Sequence, residues 1–170
     1  MNKTDLQITF AGNPVTIVGN KINVGDKAPD FTVINEKLEP VKLSDYDGKV
    51  KVLVIYPSID TGVCAAQNRR FNVEANNLKD VVVLSISVDL PFAQSRFCGA
   101  EGLENIITLS DHKDLDFGEK YGFVIDEFRL LTRGTVIIDK DNTVKYVEYV
   151  PEITNDPDYD GALNAAKELI

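Results

Sequence analysis

Two runs of β-branched residues with little polar alternation dominate the hydrophobic pattern of this chain. Val50 to Tyr56 reads Val-Lys-Val-Leu-Val-Ile-Tyr, and Val81 to Val88 reads Val-Val-Val-Leu-Ser-Ile-Ser-Val. Such runs are typical of central strands that are covered on both faces of a sheet. Between them, Gly62 to Leu78 places its apolar side chains on one helical face. The order of strand, helix and strand predicts a βαβ unit with parallel strands.

Shorter patterns predict the elements around this unit. They are an N-terminal β-hairpin of Gln7–Phe10 and Pro14–Val18, short strands at Phe31–Ile34 and Val41–Leu43, helices at Pro91–Gly99, Asp114–Tyr121 and Asp160–Ile170, and strands at Gly134–Asp139 and Thr143–Val150. The last two strands are joined by Asp-Lys-Asp-Asn, which is short enough for an antiparallel hairpin. This order predicts a thioredoxin-like α/β fold with an added N-terminal β-hairpin at about residues 7–18. A flavodoxin-like sheet is the main competitor, but it would need another crossover helix where the terminal hairpin lies.

Composition narrows the class of protein. The 170 residues suffice for one buried core, so we expect residues 1–170 to form a single domain. Acidic residues outnumber basic ones by 27 to 18, and the formal charge of −9 argues against nucleic-acid or anionic membrane partners. The N-terminus lacks the apolar core of a secretory signal, and no apolar run approaches the roughly 18 residues of a membrane span. We therefore expect a soluble, cytoplasmic protein.

The segment from Tyr56 to Cys64 joins a predicted central strand to a predicted helix, which is where sites in open α/β sheets cluster. Cys64 falls in or near the first helical turn, where unpaired N–H groups and the helix dipole stabilise a thiolate. A thiolate attacks a peroxide oxygen and becomes a sulfenic acid. Thr61 can place its hydroxyl beside the sulfur, and Pro57 stiffens the strand exit. The alternative is that Cys64 is a small hydrophobe in the core.

The sequence alone does not decide the roles of the other candidate residues. Cys98 lies near the end of the helix after the second central strand. As for Cys64, the alternative to a redox role is that the side chain only packs in the core. The two cysteines do not form a Cys-x-x-Cys pair and cannot build a zinc site alone. His112, the one histidine, lies among charged loop residues, so an exposed loop position is preferred over a catalytic base. Arg133 is either a surface charge or an anion-stabilising group.

The spacing Pro57-x-x-x-Thr61-x-x-Cys64 resembles the active-site signature of peroxiredoxins, and the surrounding Ser-Ile-Asp-Thr-Gly-Val-Cys resembles their thiol peroxidase branch. Four further segments resemble the same branch. They are Asp89–Cys98, Phe117–Gly122, Arg129–Arg133 and Val150–Tyr159. The resemblance runs from the N-terminal hairpin to the last helix. On these motifs the chain is identified as similar to the atypical two-cysteine peroxiredoxins.

The resemblance implies a role for each matching residue. Cys64 would be the peroxidatic cysteine and Cys98 the resolving cysteine of the same chain, with Thr61, Pro57 and Arg133 completing the peroxide pocket. It further implies a hydroperoxide substrate, no metal or organic cofactor, thioredoxin as the reductant and a homodimer.

Two departures from the family pattern and two rival functions remain. The pair Gly134-Thr135 follows Arg133 where a small and then a hydrophobic residue is more usual, and the residues after Cys64, Ala-Ala-Gln-Asn-Arg-Arg, also differ. These departures leave substrate preference open. A general thiol–disulfide oxidoreductase and a redox sensor without sustained turnover are the rival functions.

Overall fold

The computed structural model describes residues 1–75 and 77–170, and within them a seven-stranded sheet forms the centre of the fold. The strands are β1 (Ile8–Phe10), β2 (Asn13–Val15), β3 (Ile17–Val18), β4 (Thr32–Ile34), β5 (Pro40–Lys42), β6 (Val50–Ile55), β7 (Val81–Ser87), β8 (Ile107–Ser110), β9 (Val124–Ile125), β10 (Leu130–Leu131), β11 (Gly134–Ile138) and β12 (Val144–Tyr149). The helices are α1 (Gly62–Ala75), α2 (Pro91–Glu101), α3 (Asp116–Tyr121) and α4 (Tyr159–Lys167), with a 3-10 helix at Leu43–Tyr46.

The central sheet has the strand order β12-β11-β6-β7-β8-β4-β5. Strands β6 and β7 pair in parallel on either side of α1 in the chain, which confirms the predicted βαβ unit. Strands β11 and β12 pair antiparallel, as the short connection between them predicts. Strand β11 also pairs antiparallel with β6, so the terminal hairpin extends the sheet beside the strand that leads to Cys64.

Alternate side chains of β6 enter two separate cores, because successive residues of a strand point to opposite faces. Leu53 and Ile55 pack in a core with the aromatic residues of α3. Val52 and Val54 pack on the other face, in a core with residues of α1 and α4 and with partly buried residues of α2. Both cysteines belong to this second core, so α1 and α2 bring them to the same face of the sheet.

The N-terminal hairpin is confirmed for β1 and β2, but its predicted second arm, Pro14–Val18, is wrong as one strand. Strand β2 ends at Val15, and Ile17 and Val18 pair instead with β9 in a different sheet. The partner changes at Thr16, whose N–H is held by both carboxylate oxygens of Glu127 at 2.9 Å. Ile17 and Val18 are both buried there, so burial against β9 determines the switch.

Several boundaries differ from the predicted ones. Helix α2 continues through Gly99 and ends at Glu101, because Gly102 adopts the left-handed φ of 66° that caps a helix. Helix α1 ends at Ala75, so Leu78 lies outside it. Strands β8, β9 and β10 were not predicted. They have two to four residues each, and their pairing depends on neighbouring strands that lie elsewhere in the chain.

Gly134, the first residue of the pair that departs from the family pattern described above, is required for a steric reason. A Cβ atom at this position would collide with the main-chain oxygen of Glu148 on β12 and with the ring of Phe123. Only glycine allows β11 and β12 to approach this closely directly after Arg133. Within the described part of the chain, none of the helices has the length and apolar character needed to cross a lipid bilayer.

Candidate active site

Cys64 is the third residue of α1, and its side chain is fully buried. It packs in the core that also contains Val54, Tyr56 and Phe71. Its position in the first turn places it among N–H groups that have no partner within the helix. The sulfur therefore lies at a boundary between an apolar core and the positive end of a helix.

Two hydrogen-bond donors from different parts of the chain converge on this sulfur. Thr61 Oγ1 lies 2.7 Å from Cys64 Sγ, and Arg133 Nη2 lies 3.2 Å from it. A thiol is a weak acceptor, whereas an anionic sulfur accepts charge-assisted hydrogen bonds well. The two donors can therefore make charge-assisted hydrogen bonds to the sulfur when it reacts as the thiolate, the nucleophilic form of cysteine.

Arg133 is a buried cation that is oriented by three neighbours. Its side chain is 2% exposed, and its Nε donates to the Ile153 carbonyl at 2.7 Å. Its Nη1 donates to Gln67 Oε1 at 2.8 Å, which leaves Nη2 for Cys64. The rigid fork of a guanidinium group fixes all three directions together.

No carboxylate compensates the charge of Arg133 among residues 1–75 and 77–170. The ion pairs of this part of the chain all involve other basic residues. A buried charge is costly unless a counter-charge or hydrogen bonds compensate it. Among the hydrogen-bond acceptors of Arg133 in these residues, the sulfur of Cys64 is the one that becomes negatively charged when the cysteine reacts as a thiolate.

Pro57 is buried in a bend two residues beyond the end of β6, where the chain leaves the strand toward Thr61. The loop that follows is held by Asp89, which lies just after β7. One oxygen of Asp89 accepts from Ser58 Oγ and the other from the Ile59 N–H, both at 2.8 Å. Asp89 thus fixes the loop between Pro57 and Thr61 from the neighbouring strand.

Cys98 lies in α2, half-buried and packed against the core that contains Cys64. Both thiols are free, so no bond joins the two sulfurs. Burial raises the pKa of the Cys98 thiol, and a hydrogen bond with the Thr108 side chain lowers it by less. Cys98 also lines a cavity of about 360 Å³ together with Leu103. It is therefore a neutral thiol in this arrangement.

His112 is a half-buried turn residue rather than an exposed one. Its N–H donates to Ser110 Oγ, and its carbonyl accepts from Arg129 Nη2. Within the described residues, no hydrogen bond joins His112 to Cys64. The structure brings Cys64, Thr61 and Arg133 together and leaves His112 outside this group.

Two residues of the site were missed by the sequence analysis, although a signal for them exists. Gln67 and Asn68 are both fully buried, and they follow Cys64 by three and four positions. Residues at these spacings share a helix face. Polar side chains on a face that is otherwise apolar indicate buried partners, and here Gln67 contacts Arg133 while Asn68 contacts the Cys64 carbonyl.

Comparisons with known proteins agree with one another. The model of the Redoxin family matches residues 23–163. The thiol peroxidase of Listeria monocytogenes serotype 4b (strain F2365) is 57% identical over 162 residues, which cover 95% of this chain and 98% of that protein. The thiol peroxidase of Halalkalibacterium halodurans is 58% identical over 163 residues, which cover 96% and 98%.

Two solved structures have the same architecture. A peroxiredoxin-like protein from Aquifex aeolicus superimposes with a TM-score of 0.92 and 39% identity, covering 100% of both chains. A thiol peroxidase from Chromobacterium violaceum superimposes with a TM-score of 0.86 at 22% identity, covering 97% of each chain, and so bears on the fold alone. These likenesses confirm the predicted thioredoxin-like fold. Taken with the near-complete coverage by the relatives, they show that the chain belongs to the thiol peroxidase family.

Proposed function

We propose that the chain reduces hydroperoxides through a sulfenic acid on Cys64 and an intramolecular disulfide between Cys64 and Cys98. Its membership of the thiol peroxidase family makes it a thiol-dependent peroxidase. The observation that carries the assignment of Cys64 is the convergence of Thr61 and Arg133 on its sulfur. Among the residues that the structure describes, no comparable pair of donors faces Cys98, and burial raises its pKa.

In the first step, the Cys64 thiolate attacks one oxygen of the hydroperoxide. An S–O bond forms, the O–O bond breaks, and the leaving oxygen takes a proton to become water or an alcohol. The sulfur is oxidised by two electrons, and the peroxide is reduced by two. Arg133 stabilises negative charge on the reacting oxygens, since its Nη2 lies at the sulfur where they must pass.

In the second step, Cys98 attacks the sulfur of the Cys64 sulfenic acid and releases water. A disulfide requires Cα atoms about 4.4–6.8 Å apart with suitably directed side chains. Cys64 and Cys98 are each held within a helix, so at least one helix must unwind locally. Unwinding also exposes Cys98 to solvent, which removes the burial that raises its pKa and so makes its thiolate easier to form.

The disulfide is then reduced by an external dithiol through thiol–disulfide exchange. We assign this role to thioredoxin and expect a single-domain, cytoplasmic homodimer. Thioredoxin and the homodimer are implied by the resemblance of the Cys64 and Cys98 segments to the atypical two-cysteine peroxiredoxins, whereas the single domain and the location are expectations from length and composition. Both hydrogen peroxide and organic hydroperoxides are proposed as substrates.

Intact-protein mass spectrometry tests this proposal. Reduced wild-type protein is mixed with one equivalent of hydroperoxide and should lose the mass of two hydrogens. Cys98→Ser should gain one oxygen atom, because its sulfenic acid cannot be resolved. Cys64→Ser should keep its mass, and rapid oxidation of this variant would show that Cys64 is not the peroxidatic residue.

A further inference from the structure

The N-terminal hairpin is joined to the chain segment that supports Arg133. The Thr9 N–H donates to the Pro151 carbonyl, and the Ile153 N–H donates to the Thr9 carbonyl, both at 2.9 Å. Thr9 and Glu152 thus form a parallel bridge between β1 and the segment 151–154. The two parts of this bridge lie at opposite ends of the chain.

Glu152 provides a second tie at the same place. One oxygen of its carboxylate accepts from Gly12 N at 2.7 Å and from Thr9 Oγ1 at 2.9 Å. The other accepts from Ala11 N at 3.1 Å and from the N–H and hydroxyl of Thr154 at 2.9 and 2.7 Å. The hydrogen bonds from Thr154, followed by that from Gly12, lower the pKa of Glu152 to about 2. The carboxylate is therefore anionic at any working pH.

Ile153 connects this tie to the candidate active site. Its side chain is buried in a small core with Ile8 and Ile17, and its N–H is bound to Thr9. Its carbonyl oxygen accepts from Arg133 Nε at 2.7 Å. The direction of this carbonyl therefore depends on the hairpin on one side and sets the orientation of the guanidinium group on the other.

We infer that Glu152 is a positioning residue for peroxide reduction, which acts by holding the Ile153 carbonyl so that Arg133 faces Cys64. The N-terminal hairpin thereby becomes part of the support of the site. This inference rests on the proposed function of Arg133. Because the guanidinium fork is rigid, a displaced carbonyl rotates Nη2 away from the sulfur, and misplacement of about 1 Å can cost about 100-fold in rate.

The chain offers a matched control for Glu152. Glu127 is also a glutamate that binds a main-chain N–H near the hairpin, since both of its oxygens accept from Thr16. Among the described residues, no hydrogen bond joins the Glu127 side chain to the segment 151–154 that carries Ile153. Loss of Glu127 therefore weakens the same region without displacing the support of Arg133.

The experiment measures the rate constant for oxidation of Cys64 by hydrogen peroxide in the Cys98→Ser background, by quenched flow and mass spectrometry. Glu152→Ala should lower this rate constant about 10- to 100-fold, and Glu127→Ala should leave it within about twofold of the parent. Glu152→Gln keeps one acceptor oxygen and should fall between the two, and it replaces the alanine variant if that variant does not fold. A rate within twofold of the parent for Glu152→Ala would overturn the inference.

A second set of variants distinguishes a failure of this inference from a failure of the proposed function. Arg133→Met replaces the guanidinium with an unbranched apolar side chain and should itself slow oxidation. In that background Glu152→Ala should cause no further loss, because its effect passes through Arg133. An equal further loss would show that Glu152 acts by another route. An unchanged rate in Arg133→Met alone would instead remove Arg133 from the proposed mechanism.

Discussion

The two donors at the Cys64 sulfur differ in exposure. Arg133 is buried and fixed by three partners, whereas Thr61 is exposed and its hydroxyl lies near two acceptors, Cys64 Sγ and the Ser58 carbonyl at 3.2 Å. A hydroxyl has one proton to donate and two lone pairs to accept with. When it donates to the sulfur, its oxygen is free to accept a hydrogen bond from the O–H of the approaching hydroperoxide. Thr61 can therefore orient both reactants.

Thr61→Val should slow oxidation of Cys64 by about 10- to 100-fold, which corresponds to the loss of a hydrogen bond to a charged group of about 1.5–3 kcal/mol. Because the residue is exposed, the thermal midpoint should change little. Thr61→Ser keeps the hydroxyl and should keep most of the rate. Stopped-flow competition for hydrogen peroxide measures all three proteins, and equal rates for the valine and serine variants would contradict the role of the hydroxyl.

One of the two contacts of the Cys64 sulfur could be predicted from the sequence, and the other could not. Thr61 precedes Cys64 by three positions, so their proximity follows from local helical geometry. Arg133 follows Cys64 by 69 positions, and its contact with the sulfur depends on where β11 lies in the sheet. Its partner at Ile153 is a main-chain carbonyl, which has no residue type to reveal it. Periodicity alone therefore left Arg133 open between a surface charge and a site residue.

The two cysteine helices are anchored to different degrees. In α1, the Asn68 amide donates to the Cys64 carbonyl at 2.9 Å and accepts from Ser85, which is bonded in turn to Tyr56 at 2.7 Å. This buried chain of hydrogen bonds ties the first turn of α1 to β7 and to the residue that follows β6. The turn of α2 around Cys98 is half-buried or exposed. We therefore expect the end of α2 to unwind when the disulfide forms.

Gly99→Ala tests which helix unwinds. A Cβ atom there meets nothing within 4 Å, and alanine stabilises a helix interior relative to glycine by about 0.5–1 kcal/mol. Disulfide formation should therefore slow by about two- to fivefold, with oxidation of Cys64 unchanged.

Gly62→Ala is the control for this variant, because it lies in α1 with equally open space. It should leave the rate of disulfide formation unchanged. Rapid-mixing mass spectrometry separates the two steps. A slower disulfide step in Gly62→Ala and not in Gly99→Ala would assign the unwinding to α1.

The long elements were predicted better than the short ones for a physical reason. Strands β6 and β7 are buried on both faces. Most of their residues are therefore apolar, and this composition is visible in the sequence. Strand β8 reads Ile-Thr-Leu-Ser, and its pairing with β7 and β4 is determined by the sheet around it. Likewise, nothing local in Pro14–Val18 shows that β2 ends at Val15. The partner of Ile17 lies more than one hundred residues away.

Two carboxylates, Asp111 and Glu152, contribute in opposite directions to the pH dependence of the free energy of unfolding. Burial raises the pKa of Asp111 from its ordinary 3.8 to about 7, although the N–H groups of Gly118 and Phe117 at the start of α3 lower it by less. The native state then binds a proton that the unfolded state has released. The contribution of Asp111 is therefore fully present below about pH 4 and is lost as pH rises through 7. Glu152, with its lowered pKa, contributes fully above about pH 4.5, and its contribution is lost as pH falls from there to about 2.

The free energy of unfolding should consequently be higher at pH 5 than at pH 8. Increasing negative charge on a chain with a formal charge of −9 acts in the same direction. Asp111→Asn cannot ionise and should reduce the difference between the two pH values, even if it lowers stability at both. Urea denaturation at pH 5 and pH 8 measures this, and an unchanged difference in the variant would show that Asp111 is not responsible.

The tie between Glu152 and the hairpin also has a consequence for biosynthesis. Gly12 and Glu152 are 140 positions apart, so the ribosome makes the first partner long before the second. Until residues beyond 150 have left the exit tunnel, the nascent chain contains Cys64 but not the carbonyl that orients Arg133. The contact of Arg133 with the Cys64 sulfur, on which the proposed function rests, is therefore supported in full only after the hairpin and residues 151–154 have met.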